Sequence, residues 1–232
     1  MTTRSITFRM SLLIAMFALI AISCSVIDNL TGGANEAEST APDPDFPSGE
    51  LIFVEDFNGS LPNWTDFIAG EGEDADTSIV NGQFIFDIQS EFTFAYTLYD
   101  GETYADVQLT TNVENRGHEN NYITLVCRES ADGWYELSIA SDGFYSIDFA
   151  DDATDSFENL AAGSTDTINL GAASNEFSAI CQGDLLSLYV NGEFVDSATD
   201  SRLPEGHVGI SAASLEDLPI LVAFDYLEVS QP

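Results

Sequence analysis

The region from residue 50 to residue 232 is predicted to fold as an all-β, antiparallel two-sheet sandwich. From Leu51 onward, apolar and polar residues alternate with a period of two, and β-branched and aromatic residues are enriched. About a dozen such segments recur at spacings of roughly 8–12 residues, with turn sequences between them and no helical period. Two sheets packed about 10 Å apart bury one face of each strand, so this pattern favours a sandwich.

The first half of this region predicts a strand, a hairpin and then two more strands. Leu51–Phe57 opens the domain and ends at Asn58-Gly59, a dipeptide that favours turns. A hairpin is predicted where Asn81-Gly82 separates Ile79-Val80 from Gln83–Ile88, because Asn and Gly accept the positive φ angles of a two-residue turn. The two further alternating strands are Phe92–Tyr99 and Ala105–Val113.

The second half continues the same pattern to the end of the chain. Its predicted strands are Tyr122–Arg128, Trp134–Ile139, Phe144–Phe149, Asn175–Cys181, Leu185–Val190, Glu193–Ser197, Gly206–Ala212 and Ile220–Val229. Gly-containing turns are predicted at Ser141–Gly143, Gln182–Asp184 and Asn191-Gly192. The segment Asp151–Gly163 is predicted to be an acidic loop.

The first 49 residues predict export and anchoring. Arg4 and Arg9 precede an apolar run, Met10–Ile22, which is shorter than a typical membrane-spanning segment. A short basic region followed by such a run is typical of a signal peptide, which we place at residues 1–23. The run closes on Ala21-Ile22-Ser23-Cys24, which resembles the lipobox of bacterial lipoproteins. That resemblance implies lipid on Cys24, which would anchor the chain to the outside of the cell membrane; the alternative is an ordinary secretory signal with an incidental cysteine. Residues 24–49 predict a flexible acidic tether.

The charge balance excludes whole classes of partner. The chain has 40 acidic residues, five arginines and no lysine, for a formal net charge of −35. Nucleic-acid binding requires basic residues, so a nucleic-acid partner is excluded, and an anionic polymer is disfavoured for the same reason. Three interpretations of the acidic surface remain open: solubility, cation binding and life in high salt.

The cysteines predict one disulfide besides the lipid site. With Cys24 assigned to the lipid, Cys127 and Cys181 remain as an even pair in an exported, oxidising context. Each lies in an alternating strand on the same face as apolar residues, so both sulfur atoms are predicted to point inward. No Cys-x-x-Cys sequence is present, which disfavours a redox or metal role.

Several stretches together resemble the concanavalin A-like jelly-roll superfamily, and within it the laminin-G-like domains of bacterial surface proteins. The stretches that carry the resemblance are Val54–Gly59, Asn81–Phe84, Asn121–Arg128, Gly133–Ile139, Asp142–Tyr145, Asn175–Gly192, Gly206–Ile210 and Val222–Val229. The resemblance covers roughly residues 50–230 and implies a jelly-roll fold. This architecture hosts lectins, glycosidases and adhesive modules, so the resemblance does not choose a function.

The glycosidase possibility can be examined through its motif. Family 16 glucanases of this fold have two glutamates flanking an aspartate on one strand, where alternate residues face one groove. The densest acidic stretches, Glu71–Asp76 and Asp148–Asp155, lack this pattern. His118 and His207 have no partner at metal-ligand spacing. The chain is therefore predicted to have no enzymatic activity.

The same resemblance implies a structural calcium ion. In the glucanases such an ion ties together the first strand, the first hairpin and the last strand. The matching positions are Asp56 and Gly82, through backbone carbonyls, and Asp225, through its carboxylate. Oxygen ligands from separate strands suit Ca²⁺. The alternative is that Asp225 bonds a neighbouring loop or caps a strand edge.

The candidate ligand-binding residues lie on the central predicted strands: Tyr122, Arg128, Trp134, Tyr135 and Tyr145. By alternation, Tyr122 and Arg128 are expected on one face of their strand, opposite Cys127. The sequence therefore predicts a monomeric binding or adhesion module for carbohydrate or a cell-surface protein, in contact with the membrane only through its lipid. The alternatives are a glycan-modifying hydrolase of the same fold with an unrecognised active site, and a purely structural surface module.

Overall fold

The structure is a computed structural model that describes residues 49–232, and these residues form sixteen β-strands. In chain order the strands are β1 (Leu51–Glu55), β2 (Trp64–Gly70), β3 (Ala75–Val80), β4 (Gln83–Ile88), β5 (Thr93–Tyr104), β6 (Val107–Asn115), β7 (Asn121–Ser130), β8 (Gly133–Ile139), β9 (Phe144–Asp151), β10 (Ser156–Ser164), β11 (Ser174–Gln182), β12 (Leu185–Val190), β13 (Glu193–Thr199), β14 (Gly206–Ser214), β15 (Ile220–Phe224) and β16 (Leu227–Ser230). The predicted signal peptide, Cys24 and all but the last residue of the predicted tether lie outside the described residues. Within the described part of the chain, no helix could cross a membrane.

The strands form two antiparallel sheets, as predicted. The seven-stranded sheet has the order β10-β9-β8-β7-β14-β5-β2. The nine-stranded sheet has the order β13-β12-β11-β6-β15-β4-β3, and β16 joins it beside β6 with β1 at its edge. Both sheets combine hairpins of consecutive strands with pairs that are distant in sequence, such as β7 with β14 and β4 with β15, so the sandwich also depends on long-range pairing.

The main core lies between the two sheets and follows the period-two pattern. In β8, for example, Tyr135, Leu137 and Ile139 are buried in this core. The residues between them, Trp134, Glu136 and Ser138, project from the opposite side of the seven-stranded sheet. One face of each central strand is thus fixed by packing, and the other face is available for a site.

Two predicted hairpin turns have the expected geometry. Asn81 and Gly82, between β3 and β4, have φ angles of 55° and 76°. Asn191 and Gly192, between β12 and β13, have φ angles of 53° and 80°. Two consecutive positive φ angles are the signature of the tight turn that Asn-Gly favours.

The predicted acidic loop Asp151–Gly163 is wrong over most of its length. Ser156–Ser164 is strand β10, which pairs with β9. Its apolar residues are few, and the register shifts between Asn159 and Ala161, so the sequence alternation is interrupted. Acidic residues at the start of the segment therefore hid a strand that packs Leu160 against the main core.

Two other segments also differ from the predictions. Trp64–Gly70 forms β2, a strand that the sequence analysis missed. The predicted strand Ile220–Val229 is two strands, because the chain breaks at Asp225-Tyr226. There the Asp225 N–H donates to the carbonyl oxygen of Asn112, and the Thr111 hydroxyl donates to that of Tyr226. Both halves still pair with β6.

The predicted disulfide is confirmed. Cys127 in β7 and Cys181 in β11 are bonded, with their Cα atoms 6.8 Å apart. Both cysteines are completely buried in the main core, so both point inward as the alternation predicted. Because β7 and β11 belong to different sheets, this bond links the two layers covalently.

Removing the disulfide is expected to lower stability strongly. The bond joins residues 54 positions apart, and closing a loop of this size is valued at about 4 kcal/mol in the chain-entropy model. We expect a reducing agent to lower the melting temperature of the wild-type chain, and the double variant Cys127→Ala/Cys181→Ala to melt at the lower temperature with or without the agent. An unchanged wild-type melting curve, with thiol titration confirming complete reduction, would contradict this.

Candidate functional site

The outer face of the seven-stranded sheet, the side turned away from the main core, carries a second buried cluster. Apolar side chains from five strands form it: Ala69, Tyr96, Leu98, Val126, Trp134 and Ala150. Phe67, Phe94 and Phe157 pack against it and are partly exposed. A sheet face that is merely solvated has no need of such a cluster, so this face is the first place to look for a site.

Aromatic rings on this outer face pack in specific geometries. The rings of Phe67 and Tyr96 are stacked, with centroids 4.5 Å apart and planes 6° from parallel. The Trp134 ring meets both edge-on, at 5.6 Å from Tyr96 and 6.1 Å from Phe67. Such contacts hold the rings in fixed orientations.

A row of hydroxyl groups crosses the middle of the same face. Register places the following residues side by side in the order β5, β14, β7, β8, β9: Tyr96, Ser211, Thr124, Ser138 and Ser146. Thr124 and Ser138 share a hydrogen bond of 2.8 Å between their hydroxyl oxygens. The outer face therefore combines aromatic rings with a row of small hydroxyl-bearing side chains.

Glu136 in β8 is the central polar residue of the face, and it is only 6% exposed in spite of its charge. The Tyr96 hydroxyl and the Trp134 indole N–H both donate to its Oε1 atom, at 2.6 and 2.7 Å. Among residues 49–232, no group donates a hydrogen bond to its Oε2 atom. One carboxyl oxygen is thus held in place by two hydrogen bonds, and the other accepts none from the described residues.

Asp148 in β9 lies directly opposite Glu136 in the strand register. Directly opposed residues have Cβ atoms about 4.5–5.5 Å apart. Burial raises the pKa of the Glu136 carboxyl from its ordinary 4.5 to about 7; the hydrogen bonds from Tyr96 and Trp134 oppose that rise, and the charge of Asp148 adds to it. Burial also raises the pKa of Asp148, against hydrogen bonds from Ser146 and Asn159. Perturbed carboxyl groups of this kind concentrate at functional sites.

The structure divides the sequence-predicted ligand residues between the two faces. Trp134 belongs to the outer face, and Tyr122 packs edge-on against Phe144 with a centroid distance of 6.1 Å. Tyr135 is buried in the main core, where its hydroxyl donates to Asp200 at 2.6 Å. Tyr145 packs against the same core, and its hydroxyl donates to Asp196 at 3.0 Å. Consecutive strand residues face opposite ways, so Trp134 and Tyr135 cannot share one site.

The expected placement of Arg128 on the face of Tyr122 is wrong. Arg128 has a φ angle of 57°, and the pairing of β7 with β8 shifts register after Cys127, so a bulge interrupts the alternation. The guanidinium is 1% exposed and donates to the carbonyl oxygens of Ala105 and Leu203, at 2.9 and 3.0 Å. Arg128 therefore fastens loops at the end of the sandwich.

The sequence analysis did not single out Glu136 or Asp148. The signal for Glu136 was present, since it is the single charged residue in the otherwise apolar or hydroxyl-bearing segment Trp134–Ile139. The glucanase motif places its acidic residues on one strand. The pair in the structure is formed across two strands, which only the register reveals.

The region of the predicted calcium site brings the matching segments together. Asn58 follows Asp56 closely in the chain, and a Cβ atom on Gly82 would approach the Asn58 Oδ1 atom to 2.8 Å. The turn after β1 thus lies against the hairpin between β3 and β4. This proximity agrees with the arrangement that the resemblance implied.

The carboxylate expected to bind that ion has other partners. The side-chain amides of Gln83 and Asn112 donate to the two oxygens of Asp225, one to each, at 2.5 Å. Within residues 49–232, no group of three or more His, Cys, Asp or Glu side chains is placed to hold a metal ion. Each oxygen of Asp225 thus already accepts one amide hydrogen bond, which is the alternative in which Asp225 bonds neighbouring segments. Calcium binding at Asp56, Gly82 and Asp225 stays a prediction.

Comparison with known proteins establishes the fold and no family. No protein-family model and no curated protein matches the sequence. Among solved structures, the chain is similar to the carbohydrate-binding module CBM66 from Bacillus subtilis, at 14% identity and a TM-score of 0.56, over 71% of this chain and 93% of that one. It is also similar to a Bacillus licheniformis β-glucanase, at 11% identity and a TM-score of 0.56, over 80% of this chain and 100% of that one. A third similar structure is a Bacillus subtilis protein of unknown function with a galectin-like fold, at 11% identity and a TM-score of 0.60, over 80% of this chain and 97% of that one.

These structures are all concanavalin A-like jelly-roll sandwiches, and the chain described here has the same fold. The fold predicted from the sequence is thereby confirmed. At identities this low the likeness concerns the fold alone. The neighbours include a binding module and an enzyme, so the predicted absence of enzymatic activity stays a prediction.

Stability is expected to fall as Glu136 ionises. Below about pH 4 it is protonated in both the folded and the unfolded chain. Between its ordinary pKa of 4.5 and its folded pKa of about 7, the unfolded chain loses the proton first, so the free energy of unfolding falls as pH rises. The full difference is on the order of 3 kcal/mol. The Glu136→Gln variant should remove this dependence and exceed the wild type in stability at pH 8.

Chemical denaturation at pH 4, 6 and 8 measures this difference. Glu193→Gln, a change at an exposed residue of β13, is the matched control for the loss of one negative charge. A Glu136→Gln effect that is the same at pH 4 and pH 8 would mean that the carboxyl titrates normally.

Calcium binding is tested by the chelator dependence of melting. If the ion binds, millimolar calcium should raise the melting temperature of the wild type, since a ligand at a hundredfold excess over Kd stabilises by about 2.7 kcal/mol. Asp225→Asn should not respond. Ionic strength must be matched, because simple screening also stabilises so acidic a chain. Equal melting temperatures of the wild type in calcium and in chelator would contradict calcium binding at this site.

Proposed function

We propose that this chain is a lipid-anchored, extracytoplasmic carbohydrate-binding module whose binding site is the outer face of the seven-stranded sheet. The supporting observation is the arrangement around Glu136. Trp134 and Tyr96 fix one carboxyl oxygen, the second oxygen has no donor among residues 49–232, and a hydroxyl row lies alongside. Ligand sites combine apolar walls with a few oriented polar groups in this way.

The chemistry of this face suits a sugar. Sugar rings present apolar C–H faces and hydroxyl edges, and the outer face offers aromatic rings together with hydroxyl and carboxyl groups. A small cleft lies beside Trp134 and is lined by Ala69, Ala150, Phe157 and acidic residues at the end of β9. The similarity to the carbohydrate-binding module CBM66 supports the same proposal at the level of fold.

Display outside the cell is the second part of the proposal, and it rests on the sequence that ends in Cys24. Metabolic labelling with a fatty acid should mark the wild type, and Cys24→Ser should remain unlabelled and leave the membrane fraction. The disulfide between Cys127 and Cys181 is consistent with an oxidising compartment. A wild-type chain that takes up no label would contradict the lipid anchor and would mean that Cys24 follows an ordinary secretory signal.

Glycan hydrolysis is the alternative function, and one observation favours it. Two carboxyl groups, Glu136 and Asp148, lie directly opposite each other in the register of β8 and β9, and glycosidases use a pair of carboxyl groups, about 5–5.5 Å apart where the mechanism is retaining. A carboxyl group with a pKa of about 7 is also suited to act as a general acid. Product release from a bound glycan, abolished in Glu136→Gln, would favour the enzyme over the binder.

Binding is expected to depend on Trp134. A glycan and polysaccharide screen of the purified chain should identify at least one ligand, and Trp134→Ala should weaken its binding by tenfold or more, since Trp134 also orients Glu136 and tryptophans are enriched among the residues that dominate binding energies. Trp134→Phe keeps a ring but loses the indole donor to Glu136, and should give a smaller loss. Affinity electrophoresis or calorimetry measures both.

Phe194→Ala is the matched control for this test. Phe194 is a 42% exposed aromatic residue on β13 of the other sheet, so its loss should leave affinity unchanged. Equal loss of binding in Phe194→Ala and Trp134→Ala would move the site away from the outer face. A folded wild type that binds no glycan would contradict the proposed function itself.

A further inference from the structure

The two opposed carboxyl groups of the outer face have no basic partner in the domain. Residues 49–232 contain three arginines and no lysine, against 35 acidic residues. Arg116 bonds to Glu114 and Gln83. Arg202 bonds to Glu158 and Asp200, with its guanidinium over the Phe149 ring.

Arg128 is also committed elsewhere. It donates to two backbone carbonyl oxygens, and its nearest described carboxylate is that of Asp106, at 3.7 Å. None of the three arginines is therefore placed to neutralise Glu136 or Asp148. Two buried or half-buried acids in direct register without a cation are costly, because their charges repel one another in a region of low dielectric.

The hydrogen bonds of this pair leave room for one more donor. Tyr96 and Trp134 occupy Oε1 of Glu136, and Asn159 donates to Oδ1 of Asp148 at 2.8 Å. The Oε2 atom of Glu136, a residue that is more than nine-tenths buried, has no donor among the described residues.

We infer that the ligand of the outer face carries a protonated amine, and that Glu136 and Asp148 together receive its ammonium group. The chemical class that meets this requirement in a carbohydrate is an amino sugar with a free amino group, for example a glucosamine polymer. The inference rests on the proposed function, because it names the ligand of the same site. It also accounts for the absence of basic side chains there, since any such side chain would compete with the ligand.

Proton linkage follows from this arrangement. An ammonium group favours the ionised form of a nearby carboxyl, so its binding lowers the pKa of Glu136 and releases that proton to the solvent, while the ammonium keeps its own. The titratable groups that face Glu136 are Tyr96 from β5, Tyr122 from β7 and Asp148 from β9. Burial is the main cause that raises the pKa values of both tyrosines, so both hydroxyl groups stay protonated at pH 6.

The test compares two ligands that differ in charge and in the acetyl group. We titrate the purified full chain with short β-1,4-linked glucosamine oligomers and with their fully N-acetylated counterparts, at pH 6 and at two salt concentrations. The glucosamine oligomer is expected to bind at least tenfold more tightly than the acetylated one. Calorimetry in two buffers of different ionisation enthalpy should detect proton release with the glucosamine oligomer only.

Three variants separate a specific site from adsorption to an acidic protein. Glu136→Gln keeps the shape of the protonated side chain, and Asp148→Asn keeps the shape of its carboxyl; each should weaken glucosamine binding by about tenfold, equivalent to about 1.4 kcal/mol. Glu193→Gln removes the same charge from β13 and should have no effect. Melting curves establish that each variant is folded.

The outcomes are decisive in either direction. Equal affinity for the acetylated oligomer, or an equal loss in Glu193→Gln, would overturn the inference and leave the proposed function in place if another glycan in the screen binds through Trp134. Failure of every glycan to bind the folded wild type would overturn both.

Discussion

A carboxyl group buried on an open sheet face has to be hydrogen-bonded, and the bonds from Tyr96 and Trp134 to Glu136 determine how the outer face is built. Tyr96 lies on β5 and Glu136 on β8, with β14 and β7 between them. Gly209 on β14 lies in register with Val126 on β7, which in turn pairs with Glu136. Gly209 on β14 has no space for a side chain, since a Cβ atom would approach the Thr97 carbonyl oxygen to 2.5 Å.

The inner side of the same sheet makes this arrangement possible. Packing against the nine-stranded sheet and the bond between Cys127 and Cys181 hold the seven-stranded sheet from its inner side. The outer face can therefore hold groups that cost stability, such as Glu136 and Asp148. Functional sites often lower the free energy of unfolding in this way, and packing in the main core offsets the loss.

Alternation and turn chemistry made the fold predictable from the sequence, and register made the site unpredictable. The period-two pattern placed Cys127 and Cys181 on the inner face, and Asn-Gly dipeptides located two hairpins. The pattern could not show that Asp148 lies opposite Glu136, because pairing across strands depends on the whole topology. The alternation also gave the wrong face for Arg128, because a bulge interrupts β7 there. The sequence does not predict this bulge, since arginine rarely adopts the positive φ angle that Arg128 has.

The central claim is that ligands bind on the outer face of the seven-stranded sheet, and the two tryptophans of the chain allow it to be tested directly. Trp134 lies on that face, whereas Trp64 packs against the main core beside Phe57 and Tyr99. In a chain labelled with ¹⁵N at tryptophan, the indole N–H signal of Trp134 should shift in a saturable way during titration with a glycan that binds, and that of Trp64 should stay in place. A ligand that binds while the Trp134 signal is unchanged would contradict the account.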